Sequence, residues 1–144
     1  MERVLGHLNW HKFLCYLDGV IVFGFSDLEL ERLNSWQQNS VVIAMDTEEI
    51  SSINYDNRGV IAEALKYLDS QGKQKIAFIG VDPSDKTTGK LRLDAYLEWT
   101  SAHQIAPNFQ TGQLNHESAY SLVDKILERE TDAIVCASDT LALG

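Results

Sequence analysis

Basic residues are scarce in this chain: 12 Lys and Arg stand against 21 Asp and Glu, a formal net charge of −9. They are scattered rather than gathered into a stripe. The segment therefore lacks the clustered cations that neutralise phosphates, and gripping DNA is excluded as its own activity. Cysteine is rarer still. Cys15 and Cys136 both sit in apolar wording, FLCYL and IVCAS, which suits buried free thiols in a reducing compartment better than a disulfide framework. No apolar run approaches the ~20 residues that a membrane-spanning helix needs, and no signal peptide opens the sequence, so no membrane partner and a cytoplasmic location are expected. The two prolines, Pro83 and Pro107, both fall in wording that reads as loop. Repeats of solenoid type and low-complexity segments are absent.

The motifs that announce catalysis are missing too. No GxGxxG follows a strand, so dinucleotide binding lacks its phosphate turn. TTGK at Thr87–Lys90 faintly resembles the end of a phosphate loop, but the upstream Gly80 is too far from Gly89 to complete one. No GxSxG elbow presents Ser84 or Ser138 as a nucleophile. His7 and His11 stand one helical turn apart and read as a surface pair rather than a metal site. No catalytic residue, metal or cofactor is expected, and the chain does not read as an enzyme.

What is present is an alternation of helical and strand signals. Val4–Leu17 carries leucines at helical spacing. GVIVFGF from Gly19 to Phe25 is a continuous apolar run, as expected of a strand covered on both faces. A helix is predicted over Asp27–Gln38, a strand over Val41–Asp46 and a short half-polar strand over Ser52–Tyr55. Asn57 reads as the cap of a strong helix with Val60, Ile61, Ala64, Leu65 and Leu68 on one face and Gly72 as its stop. There follow a strand at Ile76–Val81, a helix at Lys90–His103, a loop with a strand piece at Pro107–Leu114, a helix at Glu117–Arg129 and a strand at Ala133–Ala137. Strands separated by helices imply βαβ units and parallel sheets flanked by helices, an α/β fold.

The most informative segment runs from the end of the apolar strand IAFIGV through the loop DPSDKTTGK into a helix carrying Arg92. Ligands of open parallel sheets bind beyond the carboxyl ends of the strands, where strand-to-helix loops converge. Asp85, Lys86, Thr87, Thr88 and Arg92 supply a carboxylate, an ammonium, two hydroxyls and a guanidinium there. A poly-hydroxyl ligand such as a sugar offers paired hydroxyls that suit bidentate Asp and Arg partners. The same residues also read as a helix cap and its solvated first turn, and Arg92 as the partner of Asp94 or Glu98. Gly24, between two phenylalanines at a strand's carboxyl end, would let a ligand approach the backbone, or serve only packing. Asp139, with Thr140 beside it, ends a strand before a helix and reads either as a ligand acceptor or as that helix's N-cap.

The wording SDKTTGKLRLDAYL, with CASDTLALG at Cys136–Gly144, VIVFGF at Val20–Phe25 and the strand ending in Asp46, resembles the ligand-binding part of the LacI/GalR family of transcriptional regulators over nearly the whole chain. That resemblance implies a two-lobed, periplasmic-binding-protein-like (type I) fold, here incomplete, since the family's effector-binding part is about twice as long. It implies residues 1–57 as a partial N-terminal lobe and 58–144 as a partial C-terminal lobe, with the DNA-binding helix-turn-helix outside this sequence. The ligand-binding positions it implies are Arg92 and Asp139. The partners it implies are a sugar or sugar phosphate effector held in the cleft between lobes, operator DNA reached only through the missing segment, and a second copy in a homodimer. The loop wording points within the family to trehalose 6-phosphate or a related sugar as effector. One departure is Met45 in VVIAMD, where that closest pattern has an Arg. The loss of a multi-donor contact of ~1.5–3 kcal/mol implies weaker binding or a different sugar. A periplasmic sugar-binding protein of a transport system is the alternative that shares the fold.

Overall fold

Parallel pairing joins all the strands in the described part of the molecule. The computed structural model describes residues 17–23, 31, 33–34, 39–45 and 47–144. The chain divides into two compact units, Met1–Tyr55 and Asp56–Gly144. In the first, β1 (Gly19–Phe23), β2 (Asn39–Ile43) and β3 (Ser51–Ile53) form a sheet of order β1-β2-β3. Its register sets Ile21 beside Val41, Phe23 beside Ile43, and Ile43 in turn beside Ile53. Side chains alternate across a sheet, so Val22 and Val42 share the opposite face, where they are buried with Leu33. Glu31, Leu33 and Asn34 are helical. The helix predicted over Val4–Leu17 lies outside the described residues, apart from Leu17, and so does Cys15.

The expectation that β1 is covered on both faces does not hold. Ile21 and Phe23 are 77% and 67% exposed, and Ile53, on the same face, 62%. That face suits burial but has no covering element among the described residues.

The second unit is built around β4 (Ile76–Val81), all six of whose residues are buried. The sheet order is β5-β4-β6, with β5 at Phe109–Gly112 and β6 at Ala133–Cys136. The helices are α1 (Asn57–Ser70), α2 (Arg92–Ala102), α3 (His116–Leu127) and the short α4 (Asp139–Ala142). The chain moves from β4 to β5 on one side and from β5 back across β4 to β6 on the other. Right-handed crossovers in opposite directions put the connecting helices on opposite faces. Accordingly α1 packs on α2 and β6, while α3 packs on β5 and β4. The core joins Ile61 and Leu65 of α1, Leu93, Ala95 and Tyr96 of α2, and Ala119 and Ile126 of α3 around Phe78 and Ile79. Val60 falls outside the apolar face predicted for its helix, at 50% exposed, and Leu127 of α3 is 57% exposed.

Polar devices fix this unit at the amino edge of its sheet. Both carboxylate oxygens of Asp132 accept backbone N–H groups, from Gln74 and Lys75 at 3.0 Å each, which ties the entry of β4 to that of β6. The fully buried Tyr96 stacks on Phe78, ring centroids 5.2 Å apart. Its hydroxyl lies 3.0 Å from the Ile76 carbonyl and accepts from the Asn108 N–H at 3.0 Å. Burial pushes that phenol above its ordinary range. At the far end of α1, Gly72 takes φ +78°, and the N–H groups of Gly72 and Lys73 reach back to the Asp69 and Leu68 carbonyls. This is a Schellman stop, the ending read from the glycine. Among the described residues no helix is long and apolar enough to cross a membrane.

Candidate functional site

Beyond the carboxyl end of β4 the chain does not run as an open loop into a helix at Lys90. It winds first into a π-helical turn at Lys86–Leu91, and α2 follows from Arg92. Asp85 is the reason. Its Oδ1 accepts the backbone N–H groups of Thr87 and Thr88 at 2.9 Å, that of Gly89 at 3.4 Å, and the Thr87 hydroxyl at 3.1 Å. One carboxylate oxygen thus satisfies the orphan donors of the whole first turn. Asp82 organises the preceding step: its side chain accepts from the Ser84 N–H at 2.9 Å, and hydrogen bonds from Ser84 hold its carboxyl below the ordinary value. The buried Gly89 lies directly under the Asp82 carbonyl. A Cβ there would come within 2.1 Å of that oxygen, so only glycine lets the turn close.

This turn delivers Arg92 to the adjacent strand end. β6 pairs beside β4, with Cys136 opposite Ile79, and the Ala137 N–H continues the ladder to the Ile79 carbonyl at 2.8 Å. Arg92, half-buried, donates through Nη1 to the Ala137 carbonyl and through Nε to Asn57 Oδ1 at 2.9 Å. Among the described residues its Nη2 has no partner. Both acceptors are uncharged, so the guanidinium is oriented without being neutralised. The acids nearest in sequence are occupied elsewhere. Asp94 pairs with Arg58 at 3.2 Å and Lys90 at 2.9 Å, and Glu98 with Arg58 at 2.5 Å. The ion pair of Arg92 with Asp94 or Glu98 does not form.

At the second loop Ser138, not Asp139, caps the following helix, its hydroxyl accepting from the Leu141 N–H at 3.3 Å. Asp139 is the first residue of α4 and exposed; Thr140 beside it is half-buried. The bond from Arg92 to Ala137 therefore links the β4 loop, which carries Lys86, Thr87 and Thr88, to the β6 loop, which carries Asp139 and Thr140. Asp85 shapes the turn from within. Cys136, at the end of β6, is a half-buried free thiol raised above its ordinary value by burial. Gly24 lies outside the described residues. In the first unit, the carboxyl end of β2 turns through Ala44 at φ 63°, and Met45 packs against the cluster of Val22, Leu33 and Val42.

Asn57 is the site residue that sequence reasoning assigned otherwise. Asp56 caps α1, its carboxylate accepting from the Gly59 N–H at 2.8 Å, and Asn57 is the first residue inside the helix, 2% exposed. Two adjacent cap-competent residues leave the choice open in the sequence; a buried amide one turn from an arginine-bearing helix becomes visible only in the fold.

Comparison with known proteins fits this architecture. Residues 16–144 match the family described as periplasmic binding proteins and sugar binding domain of LacI family. The HTH-type transcriptional regulator TreR of Escherichia coli (strain K12) is 41% identical over 128 residues, which cover 89% of this chain and 41% of the relative. The chain thus spans about two fifths of the length of the curated relatives it matches. Among solved structures, the trehalose repressor from Escherichia coli superposes with a TM-score of 0.82 at 40% identity, over 88% of this chain and 50% of that one. The lac repressor dimer bound to operator and the anti-inducer ONPF superposes with a TM-score of 0.76 at 19% identity, over 93% of this chain and 49% of that one, a likeness of fold. The parallel α/β units, the strand-end site and these matches place the chain in the family of periplasmic binding proteins and LacI-type sugar-binding domains.

Proposed function

We propose that this chain is effector-binding sequence of a sugar-responsive transcriptional repressor. On this reading residues 1–57 belong to one lobe of the effector-binding domain and residues 58–144 to the other, each in part. The effector is trehalose 6-phosphate or a related sugar. The observation that carries the reading is the bond from Arg92 to the Ala137 carbonyl, which joins two strand-end loops around an oriented, un-neutralised guanidinium. Arg92 and Asp139 grip sugar hydroxyls from two sides, as donor and acceptor, and Lys86, Thr87, Thr88 and Thr140 contribute at the rim. The similarity to TreR and to the trehalose repressor supports the choice of sugar and favours a cytoplasmic regulator over a transport component. Operator contact belongs to a helix-turn-helix outside this chain, in agreement with the net charge of −9, and the active form is a homodimer. Binding shifts the balance between two conformations of different operator affinity.

Calorimetric titration of the full-length natural protein with trehalose and trehalose 6-phosphate tests this. Arg92→Ala and Asp139→Ala are each expected to weaken binding by ~2–4 kcal/mol, because each leaves a desolvated partner group unpaired. Operator affinity without effector should stay as in the wild type. An Arg92→Ala protein that binds effector as tightly as wild type refutes the site. If neither sugar binds the wild type, the trehalose assignment fails. Met45 packs on apolar neighbours and supplies no charge. Met45→Arg should accordingly raise the preference for the phosphorylated sugar.

A further inference from the structure

Arginine has no acceptor atoms, so its bond to Asn57 fixes the amide oxygen of that residue toward Nε without ambiguity. Three facts about this bond go together. Asn57 is 2% exposed and, with Thr100, one of two buried polar residues among the described residues. It sits at the start of α1, 35 residues from Arg92, so the contact is tertiary and not a by-product of one helix. Its oxygen and the Ala137 carbonyl hold two different nitrogens of one planar group. Two fixed acceptors on a rigid fork define its plane and direct the remaining Nη2 donors. A freely rotating Arg92 would have to lose side-chain freedom on each binding event.

The acceptor at position 57 is also neutral. A carboxylate there would orient Arg92 equally well but would neutralise the charge offered to a ligand. The carboxylates that pack against this helix pair, Asp94 and Glu98, are held by Arg58 and Lys90, and not by Arg92. The residues after the division at Tyr55 thus have separate tasks. Asp56 caps α1, Asn57 reaches Arg92, and Arg58 draws off the acids.

We infer that Asn57 is a positioning residue of the effector site: it does not touch the ligand but sets the plane of Arg92 and preserves its charge. This rests on the reading of Arg92 as an effector contact, and the test separates the two. In the full-length natural protein, affinity for trehalose 6-phosphate is measured by calorimetry for wild type, Asn57→Ala, Arg92→Ala and the double variant. Asn57→Ala is expected to weaken binding about 10- to 100-fold, the scale of one hydrogen bond to a charged group. In the Arg92→Ala background it should produce no further loss, because its effect passes through the guanidinium. A merely structural role would give losses that multiply. If Asn57→Ala does not fold, Asn57→Ser serves instead, since its hydroxyl keeps the pocket polar but ends short of Nε; the same loss and the same absence of a further loss are expected. Affinity unchanged in a folded Asn57 variant, or losses that multiply in the double variant, overturns the inference while leaving Arg92 in the site. Affinity unchanged in Arg92→Ala itself overturns the underlying site, and the inference with it.

Discussion

Gly89→Ala puts the architecture of the site to a severe test with a single methyl group. The added Cβ would stand 2.1 Å from the Asp82 carbonyl oxygen, 2.9 Å from its carbon and 3.2 Å from the Asp85 Cβ. None of these is the loose end of a side chain. The Asp82 carbonyl accepts the Asp85 N–H at 3.0 Å, and the Asp82 N–H is bonded to the Gly112 carbonyl at 2.9 Å, so the carbonyl side of the clash is tied to the turn and to the end of β5. The turn must therefore open. Overpacking of a closed site costs about 1–3 kcal/mol, and loss of the Asp82–Asp85 bond adds about 1 kcal/mol. The total of ~2–4 kcal/mol is a large part of the stability of an ordinary domain. For a denaturant slope of ~2 kcal/mol per M it lowers the urea midpoint by about 1–2 M. Trp99 is the only tryptophan of the second unit, so with Trp10 and Trp36 replaced by phenylalanine its fluorescence reports that unit's transition. Gly72→Ala is the control. Nothing lies within 4 Å of its Cβ, and only the strain of φ +78° acts, a cost of roughly 1–2 kcal/mol. A Gly89→Ala midpoint within about 0.3 M of the parent would refute the claim that close backbone approach at Gly89 shapes the turn.

Tyr96→Phe removes a hydroxyl that serves the Ile76 carbonyl and the Asn108 N–H in the core; a loss of ~2–6 kcal/mol is expected from urea unfolding, since each stranded buried group costs about 1–3 kcal/mol. Asp56→Ala should cost about 1 kcal/mol as an N-cap deletion in the same assay, while Asn57→Asp should leave the start of α1 in place as seen by amide exchange. Cys136 should alkylate slowly at neutral pH, with a rate that rises with pH and has not levelled off where an ordinary thiol would, because burial raises its thiol above the ordinary value. The neutral thiol is the form the fold favours, so that contribution to stability is intact below the unfolded value and is lost as pH rises through the folded one. Peptide mass spectrometry of iodoacetamide-treated protein distinguishes Cys136 from Cys15, and rapid labelling at pH 7 would contradict it.

The parts of the fold that were legible are those in which one residue type does one job. IAFIGV reads as a central strand because all six positions are apolar or Gly, and all six are buried. Gly72 reads as a stop because positive φ selects glycine. β1 was misjudged for a physical reason: an apolar run reports which faces suit burial, whereas the element that covers them comes from elsewhere in the chain. The start of α1 differs from its reading, and that of α4 stays open in the sequence, for another. Asp56 beside Asn57, and Ser138 beside Asp139, are pairs in which either member has the chemistry of a cap; backbone geometry chooses Asp56 and Ser138 and releases Asn57 and Asp139 for other contacts.

The site shows the same division between what side chains declare and what the backbone withholds. Asp85, Thr87, Thr88 and Arg92 stand out as a polar group after a buried strand. Their partition into shapers and presenters does not, because a carboxylate that accepts three amides is spelled the same as one that faces solvent. The bond that joins the two loops ends on the carbonyl of Ala137, 45 residues from Arg92. Every residue has such a carbonyl, so no side-chain identity marks the one that is used. Its position follows from the ladder: Ala137 extends β6 past Cys136 by bonding to Ile79, two residues before β4 ends at Val81. The arginine meets that carbonyl because β4 and β6 are neighbours in register and because the turn held by Asp85 and Gly89 starts α2 at Arg92. Site geometry is thus a consequence of strand order and turn closure, and a substitution such as Gly89→Ala, which touches no proposed ligand contact, should disturb effector binding together with stability.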